Sequence, residues 1–566
     1  MFTARLFAAL TVSLLLSPSY GHYLSPYDFL QYDIATIKLD ASVTVSVSPS
    51  ALEKSGSWVN VSWEGVASPS DDDWVGVYSP PVGGSIDPVK HAPVKFQYAN
   101  FNKSHMTSGS GSLRFRLVNM RDDIIMGFFT GGFEKPVLVA VSNLVSFKNF
   151  NEPLQGHLAF AGDPTQMIVV WVTKDSAQPE VVWGMASGQY TYHAKAVSSM
   201  YTDKDMCGGP ATGVGYRDAG TLHQATMNNL SPGQIYYYKY GDASDASSSW
   251  SEEASFRAAL PAGPDQTVRV IAYGDMGNGQ PDDSRQTVTG QQPALNTTKL
   301  VLGQLDRTDL VLHIGDISYA RGYASVWDEF FDQIQAVATR VPYMVCIGNH
   351  ERDFPQSKSY YDGTDSGGEC GVPHERRFPM PRPSLDEAWY EFDYGPVHFF
   401  LMSTEHNFTV GSPQYNYMKA RLSMVDRSKT PWLVFAGHRP MYIDSTNDSP
   451  KSGDLPVSEL LRATVEPLLK ESKVDLAMWG HHHSYQRTCP VFNSVCTEGA
   501  TTHVVIGMGG QGLSKNIHLI KPAYMEVVDV DHWGYSWFSA NATTLLFQFV
   551  RDSDGKIHDQ LVLHKN

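Results

Sequence analysis

The chain has 566 residues, which is too long for one compact core and is enough for about three or four domains. Hydrophobic residues make up 42% and aromatic residues 12%, so the apolar content excludes a mostly disordered protein. The formal net charge of −16 argues against binding to nucleic-acid polymers, because an acidic surface repels their phosphates. A small anionic ligand would need a local cationic site.

The first 21 residues have the pattern of a secretory signal peptide. Arg5 precedes an apolar run from Leu6 to Leu16, and the small residues Ser19 and Gly21 follow it. This run is shorter than the ~20 residues that cross a bilayer, so we expect cleavage and no membrane anchor. The expected location is extracellular or in the cell wall, with the vacuole as an alternative.

Export makes glycans and disulfides relevant. The candidate glycan acceptors in Asn-x-Ser/Thr sites are Asn60, Asn102, Asn229, Asn296, Asn407, Asn447 and Asn541. Cys489 and Cys496 bracket a short Pro-containing segment and are predicted to form a disulfide. Cys207 and Cys370 both lie in Gly-flanked polar loops and are candidates to pair with each other. Cys346 lies in an apolar run and is predicted to be a buried free thiol.

Short apolar runs separated by Gly, Pro, Ser and Asp turns predict two β-sandwich domains before the middle of the chain. The first is predicted over residues 22–150, with strands such as Trp74 to Tyr78 and Val137 to Val141. The second, over residues 151–262, resembles a fibronectin type III sandwich. Neither concentrates His, Asp and Glu in a metal-binding pattern, so we expect scaffold or contact roles.

After a Pro-Ala-Gly-Pro linker the pattern changes, and residues 263–566 are predicted to form an α/β domain of two packed sheets flanked by helices. Apolar runs such as Thr267 to Tyr273 and Leu310 to Ile314 are predicted to be buried strands. The segments predicted to be helices are Val326 to Thr339, Tyr415 to Val425 and Val457 to Leu469.

Five polar clusters directly follow five of the predicted strands. They are Gly274-Asp-Met-Gly277, Gly315-Asp-Ile-Ser-Tyr319, Gly348-Asn-His-Glu351, Ala436-Gly-His-Arg439 and Gly480-His-His-His483. The carboxyl ends of strands in α/β sheets face the ligand crevice, so residues distant in sequence converge there. Each cluster alone is weak evidence, since an Asp after a strand is commonly a turn former. All five together indicate one shared site.

The clusters supply carboxylate, amide, phenol and imidazole donors. The candidate ligands are Asp275, Asp316, Tyr319, Asn349, His438, His481 and His483. Seven such donors exceed what one metal ion uses, whereas two ions that share a bridging carboxylate would use them all. The sequence therefore predicts a binuclear metal site.

These motifs resemble those of purple acid phosphatases, which are calcineurin-like binuclear metallophosphoesterases. The family pattern GDxG, GDxxY, GNH(D/E), VxxH and GHxH is followed in order between Gly274 and His483, except that Phe435 takes the place of the Val in the fourth motif. The sequence is similar to the large plant-type members with an extra N-terminal domain, some of them described as nucleotide pyrophosphatase/phosphodiesterase-like. The segments Asp365 to Val372 and His438 to Tyr442 share this similarity.

The resemblance assigns a role to each donor. It implies that Asp275, Asp316, Tyr319 and His483 hold Fe(III), and that Asp316, Asn349, His438 and His481 hold a divalent Zn, Mn or Fe(II) ion. Asp316 would bridge the two ions. His350 and Asp316 are the expected catalytic residues, and Asn349, His350 and Arg439 the expected substrate contacts.

The resemblance implies a secreted acid phosphatase that hydrolyses phosphate monoesters of small molecules through attack of a metal-bound hydroxide. Small plant members have proton-donating histidines shortly after the fourth motif, but residues Met441 to Asp454 contain none. Arg439, Tyr442 or a water is expected to substitute, or the leaving group needs no acid. The alternatives are a nucleotide pyrophosphatase/phosphodiesterase and a noncatalytic metal-containing binding protein. A homodimer is an expected assembly.

Overall fold

The computed structural model describes residues 35–565, except residues 89, 245–249 and 289. The predicted signal peptide lies outside these residues. Within the described part of the chain, no helix is both long and apolar enough to cross a membrane.

The first domain is a β-sandwich built from ten strands and a short helix. Its strands are β1 (Thr36–Ile37), β2 (Thr44–Ser48), β3 (Ala51–Leu52), β4 (Ser57–Glu64), β5 (Trp74–Tyr78), β6 (Lys95–Tyr98), β7 (Gly111–Leu117), β8 (Ile125–Thr130), β9 (Val137–Val141) and β10 (Ser146–Phe147), and its helix is α1 (His105–Ser108). A five-stranded sheet in the order β1-β9-β8-β5-β6 faces a three-stranded sheet in the order β2-β4-β7. The alternation of buried and exposed residues along β4 gives the face that packs on the core.

The second domain is also a sandwich, of two four-stranded sheets. Its strands are β11 (Leu154–Phe160), β12 (Met167–Thr173), β13 (Pro179–Gly184), β14 (Tyr192–Lys195), β15 (Val197–Ser199), β16 (Thr221–Met227), β17 (Ile235–Asp242) and β18 (Ala254–Arg257). The sheets run β11-β12-β16-β15 and β14-β13-β17-β18. Phe160 and Ala259 join the core of the following domain, so the second sandwich packs directly against it.

The third domain has two facing sheets with helices outside them. Its strands are β19 (Val268–Tyr273), β20 (Leu310–Ile314), β21 (Tyr343–Cys346), β22 (Tyr390–Tyr394), β23 (Val397–Leu401), β24 (Trp432–Gly437), β25 (Leu476–Trp479), β26 (Tyr485–Phe492), β27 (Val495–Cys496), β28 (Thr502–Ile506), β29 (Met525–Asp529), β30 (Gly534–Ala540), β31 (Thr544–Arg551) and β32 (Ile557–His564). Its helices are α2 (Pro293–Leu302), α3 (Ala324–Ala338), α4 (Asn349–Arg352), α5 (Val372–Arg377), α6 (Pro413–Leu422), α7 (Asp454–Thr464) and α8 (Glu466–Glu471).

One sheet of this domain runs β21-β20-β19-β30-β31-β32, and the other runs β22-β23-β24-β25-β28-β26-β27 with β29 paired to β26. The strands β19, β20 and β21 are parallel, as are β23, β24, β25 and β28. Apart from Arg269 in β19, the residues of β19, β20, β24 and β25 are buried, which explains their largely apolar sequences. The predicted fold class, two sandwiches followed by a two-sheet α/β domain, is confirmed.

One predicted helix is wrong in its continuity. The segment Val457 to Leu469 forms two helices, α7 and α8, which meet at Val465. Pro467 lies in the first turn of α8, where its missing N–H costs nothing, but it cannot continue the hydrogen-bond ladder of α7. The helix α2 also begins with a proline and was not predicted from the sequence.

Buried ion pairs join the first sandwich to the third domain. Lys95 Nζ on β6 lies 3.2 Å from Asp282 Oδ2 and 3.4 Å from Glu329 Oε1, and all three side chains are almost fully buried. Arg121 adds a buried pair with Asp328, its Nη2 2.9 Å from Oδ2. The first sandwich is therefore fixed to the third domain through charges that water does not reach.

Two disulfides are formed, Cys207–Cys370 and Cys489–Cys496, and Cys346 is a buried free thiol. The predicted cysteine pairs are thus the observed ones. Five of the candidate glycan acceptors are exposed, and Asn102 and Asn447 are half-buried.

Removing the second bridge in a Cys489→Ser/Cys496→Ser variant is expected to lower the free energy of unfolding of the third domain by only roughly 2 kcal/mol. The bridge closes a loop of seven residues, so it removes little entropy from the unfolded chain. Urea unfolding under nonreducing conditions measures the change. A loss above about 4 kcal/mol would contradict a purely local role for this bridge.

Candidate metal centre

The carboxyl ends of five strands from both sheets bring the predicted donors together. The donors that follow β19, β20, β21, β24 and β25 are Asp275, Asp316, Asn349, His438 and His481. Three of these strands belong to one sheet and two to the other, so the donors gather where the edges of the two sheets meet.

One set of donors surrounds Asp275. The Tyr319 hydroxyl lies 3.2 Å from Asp275 Oδ1 and 3.0 Å from His483 Nε2, and His483 Nε2 lies 3.5 Å from Asp275 Oδ1. Carboxylate and imidazole atoms of Asp275, Asp316 and His483 also lie within 4.8 Å of one another. A carboxylate pair, a phenol and an imidazole thus converge on one point.

The other set shares Asp316 with the first. His438 Nε2 lies 3.2 Å from Asp316 Oδ1 and 3.0 Å from Asn349 Oδ1. His481 Nδ1 lies 2.9 Å from the same Asn349 oxygen. The structure therefore brings all seven predicted donors together as two adjoining sets with Asp316 in common.

Hydrogen bonds on the far side of two of the three donor imidazoles orient the donor nitrogen. His438 Nδ1 donates to the Ile314 carbonyl at 2.9 Å, and His483 Nδ1 donates to the Gly512 carbonyl at 2.7 Å. The Nε2 atom of each ring consequently faces the carboxylates. Metal-binding histidines are held in this way, by an outer acceptor that fixes the tautomer.

The backbone is strained at the donors themselves. Four donors have positive φ values, in the left-handed backbone region that residues other than glycine rarely adopt. The values are 59° for Asp275, 50° for Asp316, 54° for Tyr319 and 69° for His481. Glycine adopts this region most easily, but of the glycines that directly precede a donor only Gly315 has a positive φ, of 77°. The bend therefore falls mainly on the donors.

Two of the motif glycines are required for space. A Cβ atom on Gly348 would lie 2.2 Å from Asp316 Oδ1, and one on Gly480 would lie 2.7 Å from Asp275 Oδ2. Neither position tolerates a side chain without displacing a carboxylate. The glycines of these motifs thus let backbone approach the donor oxygens closely.

Burial and neighbouring charges shift the pKa values of several donors. Burial raises the pKa of Asp275 well above its usual range, and it also raises that of the Tyr319 phenol. Burial alone would lower the pKa of His438, but the neighbouring Asp316 carboxylate raises it to about 10. Asp275, Tyr319 and His438 thus favour their protonated forms, and metal ions that bind these residues would displace the protons.

Glu351, which was not predicted as a site residue, holds the backbone of two donor loops in place. Its carboxylate accepts hydrogen bonds from the backbone N–H groups of Asp316, Ile317 and Gly348 at 2.8–3.0 Å. Glu351 is buried, and burial raises its pKa to about 8. It ties the loops after β20 and β21 to each other. Its place in the third motif, directly after His350, was the available signal.

His350 lies at the mouth of the site. Its Nδ1 lies 3.1 Å from the Asp365 carbonyl, and its Nε2 lies 3.8 Å from Asp316 Oδ2. The ring packs on Tyr319 at 4.5 Å between centroids, and 12% of the side chain is exposed. Its Nε2 thus faces the Asp316 carboxylate.

The structure contradicts a substrate contact or proton donation by Arg439. Its guanidinium is buried, with Nε 3.0 Å from Glu405 Oε2 and Nη2 3.0 Å from Asp353 Oδ2. Nη1 donates to the Ser452 carbonyl at 3.0 Å and lies 3.3 Å from His481 Nε2. Two buried carboxylates hold the side chain behind the donors because a lone buried guanidinium would be costly.

Tyr442 is also excluded as the replacement acid. Its hydroxyl donates to the Glu466 carboxylate and accepts a hydrogen bond from the Ser494 backbone at 3.1 Å. The side chain is fully buried among the helices outside the second sheet. It therefore does not reach the donors.

Family models account for nearly the whole described chain. The model for a calcineurin-like phosphoesterase matches residues 268–485, and that for an iron/zinc purple acid phosphatase-like protein C matches residues 500–560. The purple acid phosphatase N-terminal domain matches residues 153–258, and the Fn3-like domain from purple acid phosphatase matches residues 45–149. The Fn3-like model thus matches the first sandwich, whereas the second sandwich was predicted to be the fibronectin-like one.

The relatives match between 57% and 96% of this chain. A protein of Arabidopsis thaliana named "Probable inactive purple acid phosphatase 1" is 38% identical over 96% of this chain and 93% of its own length. A "Nucleotide pyrophosphatase/phosphodiesterase" of Hordeum vulgare is 38% identical over 57% of this chain and 90% of its own. A solved purple acid phosphatase from yellow lupin (Lupinus luteus) seeds superposes with a TM-score of 0.86 at 36% identity, covering 93% of this chain and 97% of that one.

The fold and the paired donor sets define the third domain as a calcineurin-like metallophosphoesterase domain. The chain belongs to the purple acid phosphatase family, as its four matched domains and full-length relatives show. This family depends on a binuclear metal centre.

Proposed function

We propose that this protein is a secreted phosphoesterase that releases phosphate from monoesters of small molecules. The observation that carries the proposal is the convergence of seven donors into two sets that share Asp316. Names of some relatives include the word "inactive", yet each donor of the family pattern is present in this chain. The two disulfides agree with export to an oxidising compartment.

The proposed ligands of Fe(III) are Asp275, Asp316, Tyr319 and His483, and those of a divalent Zn, Mn or Fe(II) ion are Asp316, Asn349, His438 and His481. When bound, such a pair of cations makes water a nucleophile at mild pH and neutralises charge on phosphoryl oxygens. The hard phenolate of Tyr319 favours the trivalent ion.

The surrounding residues position the substrate and the donors. We assign His350 to the phosphoryl or leaving-group oxygen, because its Nδ1 is fixed by the Asp365 carbonyl while Nε2 faces the site. Asp365 Oδ2 accepts from Asn349 Nδ2 at 3.0 Å, which directs the Asn349 amide oxygen toward the histidines. Arg439 acts behind the donors as a positioning residue.

A nucleotide pyrophosphatase/phosphodiesterase is the second candidate. Residues 441–454 contain no histidine, and Arg439 and Tyr442 are held by carboxylates away from a substrate. A phosphate or nucleotide leaving group needs less protonation than an alkoxide, so this site suits it. Asn349 and His350 would contact either substrate.

Comparison of 4-nitrophenyl phosphate with bis(4-nitrophenyl) phosphate tests the proposal. Faster release from the monoester supports a phosphomonoesterase, and faster release from the diester supports the second candidate. Metal-loaded protein that hydrolyses neither would overturn both and leave a noncatalytic metal-binding role.

A Tyr319→Phe variant is expected to lose the visible charge-transfer colour of the iron-loaded protein, because the ring no longer carries a phenolate oxygen. Absorption spectra of both proteins at equal iron content provide the measurement. Tyr190→Phe is the control, since Tyr190 bonds with Glu253 in the second sandwich. An unchanged spectrum in Tyr319→Phe would remove Tyr319 from the ligand set.

A further inference from the structure

A second group of metal-type donors lies away from the binuclear centre. It consists of Asp529, His532 and His558, whose donor atoms lie within 4.8 Å of one another. Asp529 ends β29, His532 lies in the turn before β30, and His558 is the second residue of β32. The group shares no residue with the centre described above.

The Asp529 carboxylate is fixed so that one oxygen faces both imidazoles. Its Oδ1 accepts hydrogen bonds from the backbone N–H groups of Asp531 at 2.9 Å and His532 at 3.1 Å. Its Oδ2 lies 2.8 Å from His532 Nδ1 and 2.7 Å from His558 Nε2. The carboxylate is buried, whereas a third of each imidazole is exposed, so the site is anchored on one side and open to solvent on the other.

An irregularity in the strand pairing places His558 in the group. Phe549 pairs with Asp559 while Val550 pairs with Ile557, so His558 is the extra residue of a β-bulge. Bulges redirect a side chain that regular pairing would send elsewhere. The imidazole stands edge-on to the Phe549 ring, 5.8 Å between centroids.

The donors of this group lie somewhat closer together than those of the binuclear centre. Donor atoms there approach at 2.9 Å between Asn349 and His481 and at 3.5 Å between His483 and Asp275. The approaches in the second group are 2.7 and 2.8 Å. Two imidazoles and one carboxylate, with open positions for water, form a donor set that zinc uses in proteins.

We propose that Asp529, His532 and His558 bind one Zn²⁺ ion, with solvent completing its coordination. Because β29 belongs to the eight-stranded sheet and β32 is the edge of the six-stranded sheet, the ion would link the two sheets at this edge. The competing account is a carboxylate that accepts hydrogen bonds from two histidines and binds no metal.

Zinc counting on the full-length protein separates these accounts. Protein stripped with a chelator is dialysed against micromolar ZnCl₂ at pH 7.5, and the zinc content per chain is measured by elemental analysis. The His558→Ala variant is expected to hold one zinc fewer than the wild type. The control His564→Ala removes an exposed histidine of the same strand and is expected to match the wild type. Equal zinc content in the wild type and His558→Ala would overturn the proposal.

A second measurement does not depend on the binuclear centre. The Asp316→Ala variant is expected to retain this site, and calorimetric titration with ZnCl₂ measures its zinc affinity. In the Asp316→Ala/His558→Ala double variant, the zinc affinity of the site is expected to be at least 100-fold weaker. Zinc should also slow amide hydrogen exchange along β32 in Asp316→Ala but not in the double variant that also carries His558→Ala. Zinc binding and exchange that do not respond to His558→Ala would support the hydrogen-bonded account instead.

Discussion

Replacing Asp316 by alanine is expected to abolish tight binding of both metal ions and to reduce hydrolysis at least about 1000-fold, which corresponds to about 4 kcal/mol. The carboxylate lies 3.2 Å from His438 Nε2 and accepts a hydrogen bond from the His350 backbone at 3.0 Å. It belongs to both donor sets, so its loss removes a ligand from each ion at once. Elemental analysis and 4-nitrophenyl phosphate assays on the same preparation measure the two effects.

The control is Asp309→Ala, which removes a buried carboxylate that accepts a hydrogen bond from the backbone of β19 at the opposite end of that strand from the donors. It is expected to lower stability while leaving the metal content of the folded protein unchanged. Tight retention of both ions in Asp316→Ala would refute the bridging assignment.

Replacing Lys95 by methionine is expected to cost about 3–5 kcal/mol of stability, the cost of removing one partner from a buried ion pair. The ammonium lies between Asp282 and Glu329, and it also donates to Gln280 Oε1 at 3.0 Å. The variant leaves two buried carboxyls without their cation. Loss of the contact between the first sandwich and the third domain is expected to appear as an earlier thermal transition.

The effect depends on pH in a defined direction. Burial raises the pKa of Glu329 to about 7, although Lys95 opposes the shift. A carboxyl whose pKa is raised by folding contributes stability at low pH and loses it as pH rises through the folded value. Lys95→Met removes the opposing charge, so its destabilisation is expected to be larger at pH 8 than at pH 5.

A matched substitution on the surface serves as the control. Lys54 pairs with Glu252 at 2.9 Å, but both side chains are largely exposed. Lys54→Met is therefore expected to change stability by less than about 0.5 kcal/mol. Differential scanning calorimetry at pH 5 and pH 8 compares the two variants. Equal transition temperatures for Lys95→Met and Lys54→Met would contradict the role assigned to the buried pair.

The sequence was most informative where chemistry and strand ends coincide. Asp275, Asp316 and Asn349 each follow a largely apolar run that forms a mostly buried parallel strand. Both the strand and the donor are local features of the sequence, so they can be predicted without knowledge of the fold. Their convergence then follows from the general geometry of parallel sheets.

Buried charged side chains whose partners lie in another part of the chain could not be predicted from the sequence. Lys95 in β6 looks like a surface residue, and only Asp282 and Glu329 from the third domain explain its burial. Arg439 directly follows the donor His438 in sequence, and its positive charge would suit a residue that binds phosphate. Glu405, 34 positions away, nevertheless holds the Arg439 side chain in the interior. Sequence spacing does not show such pairings.

The strained donors illustrate a second limit of prediction from sequence. Gly315 bends as its residue type suggests, but Asp275, Asp316 and His481 adopt left-handed backbone conformations that their residue types disfavour. Such conformations persist only where the surrounding packing enforces them. Residue propensity alone therefore placed the bend on the wrong residues.

The most direct test of the central claim is a crystal structure of the metal-loaded protein with anomalous difference maps. The account predicts two peaks about 3.5–4 Å apart, flanking Asp316, one beside Tyr319 and His483 and the other beside His438 and His481. A single peak, or none among these seven side chains, would contradict it.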